Sequence, residues 1–165
     1  MDKKQMAVLL DVDGTCLEGV RRHKFVVCEP EKRDWKKFYA NVINDTSIKF
    51  TYLLASALFH FGIKIVLLTG RPKRDEEVTR KCLRRHHFPF HELYLREDDD
   101  NREDYIYKKE KYLSEIKDKY NIIFAVDDRL SVIKTFTDLG IPCLYYANPN
   151  SASYEALADV FYGNK

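Results

Sequence analysis

The feature that most restricts how this chain can fold is an apolar run, Ala7, Val8, Leu9 and Leu10, that stops at two carboxylates one residue apart, Asp11 and Asp13, followed by Gly14 and Thr15. Such a run reads as a strand buried in a core, and the glycine and hydroxyl after it read as a tight turn. Side chains alternate along an extended backbone, so Asp11 and Asp13 are expected to point roughly the same way, into the space beyond the strand end. Two converging carboxylates repel, so the pattern makes sense with a cation between them or a proton on one of them. Taken alone, it is also compatible with a polar turn after a core strand.

Later stretches repeat the form. An apolar run over 63–68 leads into Thr69, Gly70, Arg71 and Pro72, and another over 122–126 ends in Asp127, Asp128 and Arg129. Short strands are expected at 92–95 and 141–146. Helical spacing of apolar residues predicts helices over 46–61, 75–86, 103–119, 130–139 and 153–161. Asp45 is the expected N-cap of the first of these, with Ile48, Leu53, Leu54, Ala57, Leu58 and Phe61 as its apolar face and Gly62 as its stop. Residues 16–44 differ in composition and read as an irregular excursion over the mouth of the site, too short for a cap domain of any size. Within it, Phe25 and Trp35 fit half-buried packing and base stacking equally well. The acidic run 98–100 reads as a solvated loop. Alternation of strand and helix predicts an α/β chain: a Rossmann-like three-layer sandwich around a five-stranded parallel sheet, in one domain over 1–165 with a minimal cap at about 16–44.

Composition narrows the function. The formal charge of +2 is the balance of many charges of both signs, so no strongly cationic surface is expected and any nucleic-acid contact should be local. Cys16, Cys28, Cys82 and Cys143 are scattered without a CxxC pair, which argues against zinc and for reduced thiols in a cytoplasmic protein. No membrane-length apolar run or signal peptide is read, so no membrane partner is expected.

In an open parallel sheet, ligands bind beyond the carboxyl ends of the strands. The polar residues follow that rule: Asp11 and Asp13, Thr69, and Asp127 and Asp128 end three different runs, and Lys108 can add a cation from the preceding helix. Oxygen donors of this kind suit Mg²⁺ and phosphate substrates.

These motifs, in this order, resemble those of the haloacid dehalogenase superfamily of phosphohydrolases. The spacing of Arg96, Asp100, Arg102, Asp104 and Lys108 ahead of Val126, Asp127, Asp128 and Arg129 is similar to that of the 3′-phosphatase domain of phage-type polynucleotide kinase-phosphatases. The resemblance implies Asp11 as the nucleophile and Asp13 as general acid and base, with its main-chain carbonyl also on the metal. Thr69 and the neighbouring amides would hold the phosphoryl oxygens, Lys108 would neutralise charge, and Asp127 and Asp128 would complete the Mg²⁺ shell with Asp11. Gly70, Arg71, Arg96 and Arg102 are the expected substrate-binding residues. No G-x-x-x-x-G-K-[ST] loop is present in the sequence, so a phosphatase without the kinase half is expected.

The expected substrate is a 3′-phosphorylated DNA or RNA end, with a nucleotidase or other small-molecule phosphatase as the alternative. A separate kinase or ligase would be the expected protein partner. A receiver-type signalling module is the remote alternative, because it too sets an acid pair, a threonine and a lysine on a doubly wound sheet.

Overall fold

The computed structural model describes residues 4–26 and 29–148. The predicted turn at 148–150 falls mostly, and the predicted helix 153–161 wholly, outside them, as does Cys28. Five strands form the main sheet: β1 (Gln5–Leu10), β4 (Lys64–Pro72), β5 (Glu92–Arg96), β6 (Tyr120–Asp127) and β7 (Cys143–Tyr145), all parallel. Two short strands, β2 (Leu17–Glu18) and β3 (Thr46–Ser47), pair antiparallel outside it. The helices are α1 (Val20–His23), α2 (Trp35–Ala40), α3 (Lys49–His60), α4 (Glu76–Arg85), α5 (Asp104–Lys111), which continues as a π-helical turn over Tyr112–Ile116, and α6 (Leu130–Asp138).

Alternate residues of the central strands enter opposite layers. Val8 and Leu10 of β1 and Ile65 and Leu67 of β4 pack with Ala55 of α3 and Cys82 and Leu83 of α4. Ala7 and Leu9, with Val66 and Leu68, pack with Tyr107 of α5 and Val132 and Phe136 of α6. This is a three-layer α/β sandwich, and burial of the sheet on both faces explains why its strands read as continuous apolar runs.

Strand order across the sheet is β5-β4-β1-β6-β7. Counting only main-sheet strands in chain order, this is 3-2-1-4-5, the doubly wound order whose reversal lies between the first and fourth strands. A receiver module would have its first strand between the second and third, so the order excludes that alternative. β1 and β6 are neighbours, and their carboxyl ends carry Asp11 and Asp127.

Several elements depart from the sequence expectation. β4 does not stop at Leu68 but runs on to Pro72, which aligns with Arg96 of β5 after a register shift. Thr69, Gly70 and Arg71 thus form an irregular strand segment, a device that re-aims side chains beside functional sites. β6 begins at Tyr120, two residues before the apolar run that predicted it, and α5 with its π-helical turn ends at Ile116, short of the predicted 119. The excursion is more ordered than predicted: β2 and β3 close its base, and α1 and α2 lie between them. Asp45 does not cap α3, which starts four residues later at Lys49.

The buried face of α3 is only partly the one predicted: Ile48 is buried and Leu54 and Leu58 pack against the core, but the face is turned away from the rest. Leu53 and Phe61 are 55% and 82% exposed, whereas Thr51 and Ala55 are fully buried. The helix carries apolar residues around its whole circumference, so spacing alone could not select the inward face. None of the described helices is long and apolar enough to cross a membrane. Leu53→Gln is expected to change the unfolding free energy by no more than about 0.5 kcal/mol. Ala55→Gln, which forces volume and an amide into the core, should cost about 2–4 kcal/mol in urea denaturation; equal effects at the two positions would contradict the observed rotation.

Candidate active site

Sheet parity brings the first charged cluster together. Asp11 continues the β1 row of Ala7 and Leu9, and Asp127 continues the β6 row of Ala125, so both extend the face covered by α5. Lys108 on α5 is fully buried there, with Nζ 2.6 Å from Asp11, 2.8 Å from Asp127 and 3.0 Å from Asp104. One carboxylate oxygen from each of Asp11, Asp127 and Asp128 lies within 4.8 Å of the others, and all three residues are buried. The tips of β1 and β6 therefore meet as the sequence reading required.

Burial raises the pKa of Asp11 and Asp127; Lys108 opposes the rise, and neighbouring carboxylates reinforce it. Burial would lower that of Lys108, but Asp104, Asp11 and Asp127 together raise it well above the ordinary lysine range. Asp104 is paired with Arg96 and Arg129 as well as with Lys108, and the trio of Asp11, Asp127 and Asp128 holds more carboxylates than Lys108 alone offsets. Hard oxygen donors with that charge fit a divalent cation such as Mg²⁺.

The second cluster surrounds Asp13. Gly14 after it has φ of 81°, a conformation that favours glycine and turns the chain sharply. The Asp13 carboxylate faces guanidinium groups: Arg71 donates to it through Nε at 2.8 Å and Nη2 at 2.7 Å, and Arg22 donates through Nη2. Both arginines also bind Asp45, Arg22 Nε at 2.8 Å and Arg71 Nη2 at 2.9 Å. Burial alone would raise the Asp13 pKa, but Arg71 and Arg22 reverse the effect and hold it well below the usual carboxylate range. Asp11 and Asp13 thus avoid mutual repulsion by having different cations, not by sharing one.

The predicted residues separate accordingly. Arg71 is 1% exposed, and its fork is committed to Asp13, Asp45 and the Thr79 hydroxyl, so it is held as an internal counter-ion and not presented to substrate. The Asp13 carboxylate is outside the acidic trio that can hold a metal. Thr69 is fully buried and its hydroxyl accepts the Arg71 N–H at 3.2 Å, bracing the irregular segment. Gly70 lines the cavity, and a β-carbon there would fall on the Asp104 carboxylate, so the absence of a side chain lets β4 and α5 approach. Arg96 binds Asp104 at 2.9 Å and the Arg102 carbonyl at 2.5 Å. Arg102 stands at the rim, paired with Asp100 at 2.7 Å and Glu110 at 2.5 Å, so Asp100 is an ion-pair partner and not simply solvated.

A cavity of about 610 Å³ lies over both clusters. Asp11, Asp13, Gly70 and Asp128 line it from the sheet edge, Arg96, Arg102 and Arg129 from the α5 side, and Trp35 and Tyr39 from the excursion. Sequence reasoning gave no site role to Arg22, Asp104 or Arg129, and read Asp45 only as a helix cap. Asp104 had a usable signal, lying one helical turn before Lys108. Arg22 and Asp45 had none, since their partners are remote in the chain.

This fold and site define a phosphatase of the haloacid dehalogenase type. The family model for the polynucleotide kinase PNKP phosphatase domain matches residues 5–150, and the chain belongs to that family. A protein of Autographa californica nuclear polyhedrosis virus, assigned as a bifunctional polynucleotide kinase/RNA ligase, is 32% identical over 152 residues, 87% of this chain and 20% of the viral protein. A chain in the structure of the Pnkp1/Rnl/Hen1 RNA repair complex is 26% identical, with a TM-score of 0.74 over 88% of this chain and 43% of that one. The class C acid phosphatase of Bacillus anthracis shares the fold, at 20% identity and a TM-score of 0.66, over 98% of this chain and 73% of its own. The chain thus spans about a fifth of the viral protein and less than half of the repair-complex chain.

Asp45→Ala would leave two buried arginines sharing one carboxylate. It is expected to lower the unfolding free energy by about 3–5 kcal/mol, the usual cost of stranding a buried charge. A loss below about 1 kcal/mol in urea denaturation would mean that the quartet bears little of the fold's stability.

Proposed function

We propose that this chain is an Mg²⁺-dependent phosphomonoesterase that removes 3′-phosphate from nucleic-acid ends through an aspartyl-phosphate on Asp11. The observation that carries the reading is the meeting of Asp11, Asp127 and Asp128, with Lys108 paired to the first two, beside a cavity that Asp11 and Asp128 line. The 3′-end substrate is supported by family membership and by the RNA repair complex in which a related chain occurs. A separate kinase or ligase partner is proposed on the same ground, because the viral relative is assigned both of those activities.

Asp11, Asp127 and Asp128 would hold Mg²⁺, with the Asp13 main-chain carbonyl as a further donor. When bound, the ion supplies charge neutralisation and polarises a phosphoryl oxygen. Asp11 attacks phosphorus in line with the leaving sugar oxygen, its charge balanced by Lys108. Main-chain amides around Thr69 and Gly70 orient the phosphoryl oxygens, and Arg96, Arg102 and Arg129 offer positive charge along the approach. Asp13 gives a proton to the leaving oxygen and takes one from the water that hydrolyses the intermediate. Its anionic, doubly paired state is the one needed for the second step. Donating a proton requires Asp13 to part from a guanidinium, because Oδ1 already accepts from both Arg22 and Arg71. Arg71 serves by holding Asp13 in place.

Phosphate release should be fastest from a 3′-phosphorylated oligonucleotide when compared with a 5′-phosphorylated oligonucleotide and with mononucleotides. Release should stop on chelation of Mg²⁺, and Asp11→Asn should lower kcat by about 10³-fold or more. Preference for mononucleotides would favour the nucleotidase alternative, and an active Asp11→Asn protein would remove the proposed nucleophile. Independently of activity, Mg²⁺ at a hundred times its Kd should stabilise the fold by about 2.7 kcal/mol. That is a rise of about 5–10 °C in Tm, which Asp128→Asn should abolish; no shift in the native protein would contradict the metal site.

A further inference from the structure

Helix α2 carries an aromatic group that the phosphoryl chemistry does not use. Trp35, its first residue, is 47% exposed and lines the same cavity as Asp11 and Asp13. Its ring is nonetheless fixed. It stacks on Tyr39 with centroids 6.1 Å apart and planes at 26°, and it meets Phe38 edge to face at 5.6 Å and 79°. Phe38 lies under the Arg22 guanidinium, 4.1 Å from its carbon to the ring centroid. Arg22 in turn binds Asp13 and Asp45. An unbroken series of contacts therefore runs from the Asp13 carboxylate, through the Arg22 cation and the Phe38 ring, to an indole held at the cavity wall.

The remainder of the cavity describes what such a ring would meet. Asp11, Asp13 and Asp128 line it, and so do Arg96, Arg102 and Arg129 together with Glu103 and Asp104. A volume of about 610 Å³ is well beyond what a phosphate needs and lies within the range of pockets that enclose a drug-sized ligand. A ligand matching these features has a phosphate, further negative charge to meet arginines that already pair with Asp100, Asp104 and Glu110, and a flat π-surface. A nucleotide at the end of a polynucleotide has that constitution. Every base presents a π-face, so an aromatic platform recognises bases without selecting a sequence.

We infer that Trp35 is the stacking platform for the base of the 3′-terminal nucleotide, and so the residue by which the site tells a nucleic-acid end from a small phosphomonoester. The inference rests on the polynucleotide-end reading above. The indole offers its exposed surface to the base while Tyr39 and Phe38 hold it from behind, so little side-chain freedom is lost on binding. Because Phe38 touches Arg22, the same packing that fixes the platform also fixes the counter-ion of Asp13.

The test compares phosphate release from two oligonucleotides that differ only at the last residue, one ending in an ordinary 3′-phosphorylated nucleotide and one in a 3′-phosphorylated tetrahydrofuran abasic residue. Glycerol 2-phosphate is a third substrate. The native protein should prefer the base-bearing end by about tenfold in kcat/KM, mainly through KM, which is within the range expected for one base on one aromatic ring. Trp35→Ala should bring that ratio close to one, and Trp35→Phe should restore most of it. A purely structural role would lower release from both oligonucleotides together and leave the ratio intact, which overturns the inference; so does a native protein with no preference between the two ends. Release from glycerol 2-phosphate with neither oligonucleotide hydrolysed overturns the polynucleotide-end reading itself.

Discussion

The structure depends first on where one ammonium group is placed. Lys108 lies between Asp11, Asp104 and Asp127 with no access to solvent to speak of. At the separation of the acidic trio, two carboxylates repel by roughly 3 kcal/mol even at an effective dielectric near 20. Burying several of them without a cation would cost more than a marginally stable domain can spare. The lysine can stand there because the doubly wound order sets β1 beside β6, and because parity turns Asp11 and Asp127 to the face that α5 covers. Fold topology and site electrostatics are thus one constraint. A sheet with another strand order would leave Lys108 buried without its acids, or the acids without Lys108.

The second cluster solves a different problem with a different cation. Asp13 and Asp45 share two arginines whose planar forks each bind both carboxylates. Two acids and two guanidinium groups are neutral together, so this quartet has no residual charge to attract a metal, whereas the Lys108 cluster retains an excess of negative charge. The two aspartates of the motif, one residue apart in sequence, are separated chemically by their counter-ions. Asp11 is left in the acidic neighbourhood that could hold a divalent cation, the one in which the proposed nucleophile would act. Asp13 is left as a restrained anion, and the proton transfer proposed for it would require it to part from a guanidinium first.

What could be read from the sequence follows from the range over which each interaction acts. The central strands, the helices on both sides and the acids at the strand ends rest on local periodicity, and their outlines hold in the structure. Lys108 was distinguishable from Lys109 and Lys111 because the spacing of Arg96, Asp100, Arg102 and Asp104 marks it. Arg22 was illegible, since it stands in the basic stretch Arg21, Arg22, His23 and Lys24 and its partners are 9 and 23 residues away. Asp45 offered a local signal that misled: an acid before a helical pattern reads as a cap, and only the fold brings Arg71, 26 residues on, to claim it. Arg71 looked like a phosphate ligand for the same reason, because its acids cannot be found by spacing. The inward face of α3 was hidden by the opposite fault, an excess of local signal on every side of the helix.

These differences follow a division within the molecule. Groups assigned to bond making sit at the ends of parallel strands, where backbone hydrogen bonding fixes them and short motifs record them. The ring proposed to meet the base sits on the excursion between β2 and β3, where composition is mixed and packing is by aromatic rings, while the arginines proposed along the approach lie outside it. The joint between the two regions is Arg22, which reaches from α1 to the carboxylate at the end of β1 while covering Phe38 of α2. Asp13 is held from both regions, by Arg71 of β4 and by Arg22, so the carboxylate at the end of β1 is braced by the sheet and by the aromatic packing of the excursion together.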